Sequence, residues 1–374
     1  MPTAQLIIAD SEKNANLYYA TGFLAPDAFI FIQANGRKQL VMSDLEIDRA
    51  KAQSTVDDVL SYTKLAAQAK QRLKADATFL DTVDEALRAL KVNALDVPLD
   101  FSVAYADGLR TRGYTVTPKP EPFFPQRAIK SEQEIAHLID ALRATESALE
   151  SAIELIRNAE IKPDHTLWIG GKPLTAELIR KVLHMQMMER DCVGQHTIVA
   201  CGVQAVDPHN EGAGPLKAHQ PIVMDVFPQH ARTRYFADIT RTVVKGQASD
   251  KVRRMFDAVK EGQEIAFRLI KDGVDGAAIH RAILKYFDSL GFPTGEQGGR
   301  MQGFFHGTGH GVGLEIHEPP RISPRPDILK AGMVVTVEPG LYYLDAGGIR
   351  IEDTVVVTNE GCRVLTEAPK ILEV

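Results

Sequence analysis

A chain of 374 residues is too long for one small module and has room for two domains, one of them large. Hydrophobic residues at 44% and charged residues at 25% exclude disordered and fibrous classes and allow a sizeable core. The net charge of −6, from 43 basic and 49 acidic residues without long blocks, leaves no basic footprint for a nucleic-acid backbone, and no apolar run approaches the ~20 residues of a membrane span, so neither nucleic acid nor membrane is expected as a partner.

Near the start, the apolar run 6–9 is cut by Asp10 and Glu12, too short for the core of a signal peptide. Strand-like runs at 29–33 and 39–42 alternate with helical patterns at 45–52 and 65–73, so a small α/β domain is expected over residues 1–117. Pro118, Pro120, Pro122 and Pro125 then allow neither a helix nor a central strand, and residues 118–130 read as a linker to a domain over 131–374. Ser131 and Glu134 form a capping box ahead of apolar residues at helical spacing, which predicts a long helix near 132–158. A helix near 175–190 and strands near 196–201, 221–226 and 233–246 follow. The same order then recurs, with helices near 251–271 and 277–290 and strands near 312–317, 333–338 and 349–357. Strands that follow one another without a helix pair as antiparallel hairpins, so this part is expected to be α+β rather than doubly wound. Three cysteines, Cys192, Cys201 and Cys362, lack metal-finger spacing and read as buried thiols of a reducing compartment, which places the protein in the cytoplasm.

The chemistry lies in polar residues set into apolar strands. Asp225 closes the run Ile222-Val-Met and Asp238 sits within Tyr235-Phe-Ala-Asp-Ile-Thr-Arg-Thr. An ionised carboxylate buried there needs a cation. Thr240 shares a strand face with Asp238 and is placed to hydrogen-bond a ligand. His306 and His310 have helical i, i+4 spacing, but glycines 307, 309, 311 and 313 would each cost a helix roughly 1 kcal/mol, so loop and strand are expected, with both rings on one face and His317 nearby. Glu338 follows Val334-Val-Thr-Val, and Glu352 stands in Gly348-Ile-Arg-Ile-Glu-Asp, where period two places Arg350 on the face of Glu352 and Asp353 on the other. Four carboxylates and one neutral imidazole, His310, balance two divalent cations. Oxygen-rich donors without thiolate favour Mn²⁺, Co²⁺ or Fe²⁺ over a structural zinc. Two such ions activate water and polarise a carbonyl, so metal-assisted hydrolysis is the expected reaction class.

Asp225, the Asp238 segment, Gly309-His310-Gly, His317-Glu-Pro, Val337-Glu338-Pro-Gly and Arg350-Ile-Glu352-Asp353 resemble the pita-bread metallopeptidases of methionine aminopeptidase, aminopeptidase P and prolidase, over roughly residues 130–374. The preceding residues resemble the creatinase/prolidase N-terminal domain, which points to the proline-specific branch. The resemblance implies an α+β pita-bread domain with a pseudo-twofold antiparallel sheet behind a smaller α/β domain. It implies that Asp225 binds one metal and His310 the other, joined by Glu338, with Asp238 and Glu352 bridging. Two divalent ions per chain follow, Mn²⁺ first, with Co²⁺, Fe²⁺ or Zn²⁺ as the other choices. Glu338 would also accept the proton of the attacking water, His209 would sit near the leaving side, His317 would stabilise the tetrahedral intermediate, and His306 would be a further active-site histidine. The implied substrates are Xaa-Pro dipeptides or short peptides, and the implied assembly is a homodimer. A dipeptide's carboxylate needs a cation, for which Arg350 or a protonated His306 is a candidate. The reading is an Xaa-Pro dipeptidase; aminopeptidase P action on longer peptides is the alternative, and a metal-dependent lyase, a creatinase-like enzyme or a binding module are others. The sequence departs from the family pattern in setting the two aspartates 13 positions apart, two more than usual, and in Asn210 after His209.

Overall fold

The computed structural model describes residues 3–374, which form two compact units, one ending at Arg127 and the other spanning Ala128–Val374. The first unit is built on six strands, β1 (Thr3–Ala9), β2 (Phe29–Ala34), β3 (Arg37–Met42), β4 (Asp58–Ser61), β5 (Ala94–Pro98) and β6 (Thr115–Lys119), in the order β4-β3-β2-β1-β5-β6. The run Phe-Ile-Phe-Ile of β2 is buried on both faces, as a sheet covered on both sides requires. Ile30 and Ile32 join a core with Leu6 and Val41, while Phe29 and Phe31 join another with Ile7 and Leu40. Asn35 and Gly36 turn β2 into β3 with φ of 52° and 76°, the left-handed pair that a two-residue hairpin needs. The proline-rich segment carries regular structure. Pro118 lies in β6, a sheet edge that tolerates a missing N–H, and Pro125–Ala128 forms a 3₁₀ turn.

In the second unit a helix pair, Glu132–Arg157 and Ala176–Met188, precedes a three-stranded antiparallel sheet of Ile198–Cys201, Ile222–Val226 and Ile239–Val243. The capping box of Ser131 and Glu134 is present. A second helix pair, Asp250–Leu269 and Gly276–Ser289, precedes a five-stranded sheet in the order Glu318–Ile322, Gly309–Gly311, Val334–Val337, Asp353–Val357, Cys362–Val364, and a hairpin of Gly340–Tyr343 with Gly347–Arg350. The two sheets are laced together. Thr354 Oγ1 donates to Asp238 O at 2.9 Å, Thr242 Oγ1 to Arg350 O at 2.8 Å, and Glu352 N to Thr240 O at 3.1 Å.

Three expected strands break differently. The stretch 233–246 is reduced to Ile239–Val243, preceded by a short strand, Gln229–His230, which pairs with Cys192–Val193. The turn that carries the longer aspartate spacing is thereby absorbed outside the ladder, and Asp225 still stands opposite Thr240. Residues 312–317 bend instead of extending, because pairing between Gly309–Gly311 and Glu318–Ile322 shifts register after His310. The stretch 349–357 splits at Ile351 and Glu352, where the chain leaves one hairpin and enters another sheet. All three cysteines are free thiols, and no helix of the described residues is long and apolar enough to cross a membrane.

Candidate metal centre

A cavity of about 810 Å³ in the second unit is lined by the five candidate metal ligands, Asp225, Asp238, His310, Glu338 and Glu352, together with His209, His306, His317 and Arg350. Each comes from a short strand, the end of a strand or a turn. Asp225 and Asp238 flank the hairpin of the first sheet, His310 is the middle of Gly309–Gly311, Glu338 follows Val334–Val337, and Glu352 occupies the break before Asp353. Glycine is required beside His310, since a Cβ on Gly309 would lie 1.9 Å from Thr336 O and one on Gly311 2.3 Å from Pro319 O.

At the floor of the cavity, ligand atoms of Asp238, His310 and Glu352 lie within 4.8 Å of one another, and all three residues are buried. The tautomer of His310 follows from its neighbours. Nδ1 is 3.1 Å from Gly311 O, a carbonyl that only accepts, so Nδ1 carries the proton. Nε2 then presents a lone pair to Asp238 Oδ2 at 3.6 Å and Glu338 Oε1 at 3.4 Å. Three acceptors facing one another without a proton between them are a place for a cation. Asp225 Oδ1 is buried without a hydrogen-bond partner, another atom whose desolvation a metal bond would offset. Electrostatics agree. Burial, then Glu352, Asp225 and Glu338, push the Asp238 carboxyl well above its usual range, and burial, then Glu338 and Asp225, do the same to Glu352. Burial raises Glu338 to about 7 even though Arg350 pulls the other way. The cluster cannot hold its full negative charge without cations. The residues therefore fit a pair of divalent ions.

Behind this cluster runs a chain of donors with forced roles. Arg350 is buried and remains charged; burial opposes its charge, but Tyr342, Asp225 and Glu338 outweigh it. Nη2 donates to Asp225 Oδ2 at 2.6 Å, Nη1 to the Tyr342 hydroxyl at 2.9 Å, Nε to Thr240 Oγ1 at 3.3 Å, and both Nη groups reach Pro208 O. Thr240 Oγ1 donates in turn to Glu352 Oε2 at 2.7 Å. Tyr342 has one proton to give, and His306 Nε2 receives it at 2.9 Å, because His306 Nδ1 already donates to Gly307 O at 2.8 Å.

Arg350 thus faces the cluster, as its alternation with Glu352 suggests, but its direct carboxylate partner is Asp225. Every donor on its guanidinium is engaged within the protein. His306 is likewise saturated, and burial first, then Arg350, lowers its pKa to about 3, so it stays neutral. In this arrangement the N–H groups of both residues are engaged within the protein. Asp353 points to the other face and pairs with Arg241 at 2.7 Å. His317 packs edge-on against His310 with ring centroids 4.3 Å apart and is exposed to the cavity; burial of its ring, then Arg321, keep it neutral. His209 is also exposed on the cavity wall. Asn210 accepts a hydrogen bond from Gly212 N at 2.9 Å and shapes the turn after His209.

Sequence reasoning missed Tyr342, hidden in an apolar run, and two exposed arginines at the cavity rim, Arg321 and Arg325. Arg321 stands four residues after His317, a spacing that carries no signal until the bend at 312–317 is known.

Comparison with known proteins matches residues 136–359 to metallopeptidase family M24 and residues 3–119 to the creatinase/prolidase N-terminal domain. The chain is 28% identical to a Pyrococcus horikoshii protein named Xaa-Pro dipeptidase over 366 residues, 96% of this chain and 92% of that one. Among solved structures, X-Pro aminopeptidase from Thermotoga maritima superposes with a TM-score of 0.82 at 26% identity, covering 100% of this chain and 98% of that one. The prolidase from P. horikoshii gives 0.79 at 25% identity, covering 99% and 95%. With five metal-ligand candidates converging in one cavity and more than half of its length matched, the chain belongs to metallopeptidase family M24 and carries the creatinase/prolidase N-terminal domain.

Proposed function

We propose that this protein is an Xaa-Pro dipeptidase that uses two divalent metal ions, Mn²⁺ by preference, to hydrolyse the Xaa-Pro bond. The observation that carries the reading is the convergence of four carboxylates and an unprotonated imidazole nitrogen at the floor of one open cavity. Asp225, Asp238, His310, Glu338 and Glu352 hold the ions, which supply an activated water and polarise the scissile carbonyl. Glu338 receives a proton at its carboxylate. His317 and His209 reach the cavity from opposite segments and donate hydrogen bonds to the developing oxyanion and to the departing proline nitrogen. Arg350, bound to Asp225, orients that ligand and stays away from the substrate. The carboxylate of a dipeptide is met instead at the rim, where Arg321 and Arg325 supply cations.

A second reading, removal of the first residue from longer Xaa-Pro peptides, draws on the likeness to the T. maritima X-Pro aminopeptidase. Hydrolysis of Ala-Pro and Ala-Pro-Ala by the Mn²⁺-loaded protein separates them. The dipeptidase reading requires cleavage of Ala-Pro, lost on Arg321→Met or Arg325→Met through a raised KM; cleavage of the tripeptide alone would reject it in favour of the second reading.

A further inference from the structure

We propose that Gln263 is a positioning residue for the metal pair: its side-chain amide fixes the separation of Glu338 and Glu352 from behind. The proposal rests on the two-metal reading above. Gln263 lies on the apolar face of the helix Asp250–Leu269, in line with Val252, Met255, Val259 and Ala266, and is fully buried. An apolar side chain would fill that position without the cost of burying an amide.

The amide has one possible orientation. Nε2 lies 2.8 Å from Val337 O and 3.4 Å from Ile351 O, while Oε1 faces the ammonium of Lys370. Flipping it would set an oxygen against two carbonyls and an NH₂ against a cation. Val337 and Ile351 are the residues immediately before Glu338 and Glu352. One planar group therefore grips the backbone at the base of both ligands, at the point where the ladder between Val334–Val337 and Asp353–Val357 ends with Val337 opposite Asp353. Lys370 Nζ also sits 2.7 Å from Asp353 Oδ2, so the residue after Glu352 is held by the same cation that holds the amide. Groups that orient ligands in this way are worth roughly 10–100-fold in metal affinity.

The test is calorimetric titration of chelator-stripped protein with Mn²⁺ alone, beside thermal unfolding of the metal-free forms. Wild type should take up two Mn²⁺. Gln263→Met, close in shape but without donors, should weaken the site shared by His310, Glu338 and Glu352 by roughly 10–100-fold. Val259→Ala, one turn away on the same helix face, should lower the unfolding temperature and leave both Mn²⁺ constants unchanged. Unchanged constants in Gln263→Met, or an equal loss in Val259→Ala, would overturn the positioning role while leaving the two-metal reading intact. A wild type that binds no Mn²⁺ would overturn both. Should Gln263→Met fail to fold, Lys370→Met decides: weakening at the same site supports the role, and wild-type constants refute it.

Discussion

Replacing Tyr342 by phenylalanine removes one oxygen and one proton from the middle of the chain Arg350–Tyr342–His306. Tyr342 is fully buried, and its hydroxyl accepts from Arg350 Nη1 at 2.9 Å and donates to His306 Nε2 at 2.9 Å. A hydrogen bond from a charged donor contributes about 1.5–3 kcal/mol and a neutral one about 1, so Tyr342→Phe should destabilise the second unit by about 2–4 kcal/mol. The ring itself keeps its packing, which confines the effect to the two bonds. Equilibrium urea unfolding of the metal-free protein, followed by a probe in the second unit, measures the loss. In the Tyr342→Phe background, His306→Leu should cost at least about 1 kcal/mol less than it does alone, because the bond it would break is already gone. A Tyr342→Phe variant within 0.5 kcal/mol of wild type, or a cycle with no coupling, would refute the forced donor assignments and with them the neutral His306.

Other outcomes follow from the same geometry. Asp238→Asn or Glu352→Gln should lose both metals and nearly all hydrolysis while circular dichroism is unchanged; two metals retained by inductively coupled plasma analysis would contradict the bridging roles. His209→Ala and His317→Ala should each lower turnover by roughly 10²-fold or more with both metals still bound, since they act on the substrate and not on the ions. Glu338 should contribute stability to the metal-free protein that is lost as pH rises from about 4.5 to about 7, because it ionises at about 7 in the fold and near 4.5 when unfolded; the contribution is read as the difference between wild type and Glu338→Gln. That window is worth on the order of 3 kcal/mol, and saturating Mn²⁺ should abolish it. His306 acts in the opposite direction. With its folded pKa lowered to about 3, the unfolded chain binds its proton first, so stability is lost as pH falls from 6.5 toward 3. Urea midpoints of wild type, Glu338→Gln and His306→Leu between pH 3 and 8, with and without metal, separate the two slopes.

The residues that announce themselves in the sequence are those whose chemistry conflicts with their surroundings. Asp225, Asp238, Glu338 and Glu352 are charges in apolar runs, and the capping box of Ser131 and Glu134 marks a helix start by local bonding alone. Strand ends were less legible. Strand-forming residues flank Glu352 and Asp353 on both sides, so 349–357 reads as one strand and the change of partner at Ile351 and Glu352 is not marked by a turn residue, and the bend at 312–317 depends on a register shift against a distant strand. Arg350 shows why a face assignment is not a contact. Its alternation with Glu352 is real, yet the nearest carboxylate belongs to Asp225, 125 residues earlier, brought there by sheet lacing. Gln263 did carry a signal, a polar residue on an otherwise apolar helix stripe, but its meaning needs the two carbonyls it grips.

The central claim, hydrolysis of an Xaa-Pro bond at a dinuclear site, is tested most directly by following Ala-Pro cleavage while Mn²⁺ is added stepwise to chelator-stripped protein. Two ions per chain predict negligible cleavage at the start and a rate that levels off at two equivalents. Cleavage undiminished in stripped protein, or none of either Ala-Pro or Ala-Pro-Ala at any loading of Mn²⁺, Co²⁺, Fe²⁺ or Zn²⁺, would contradict it.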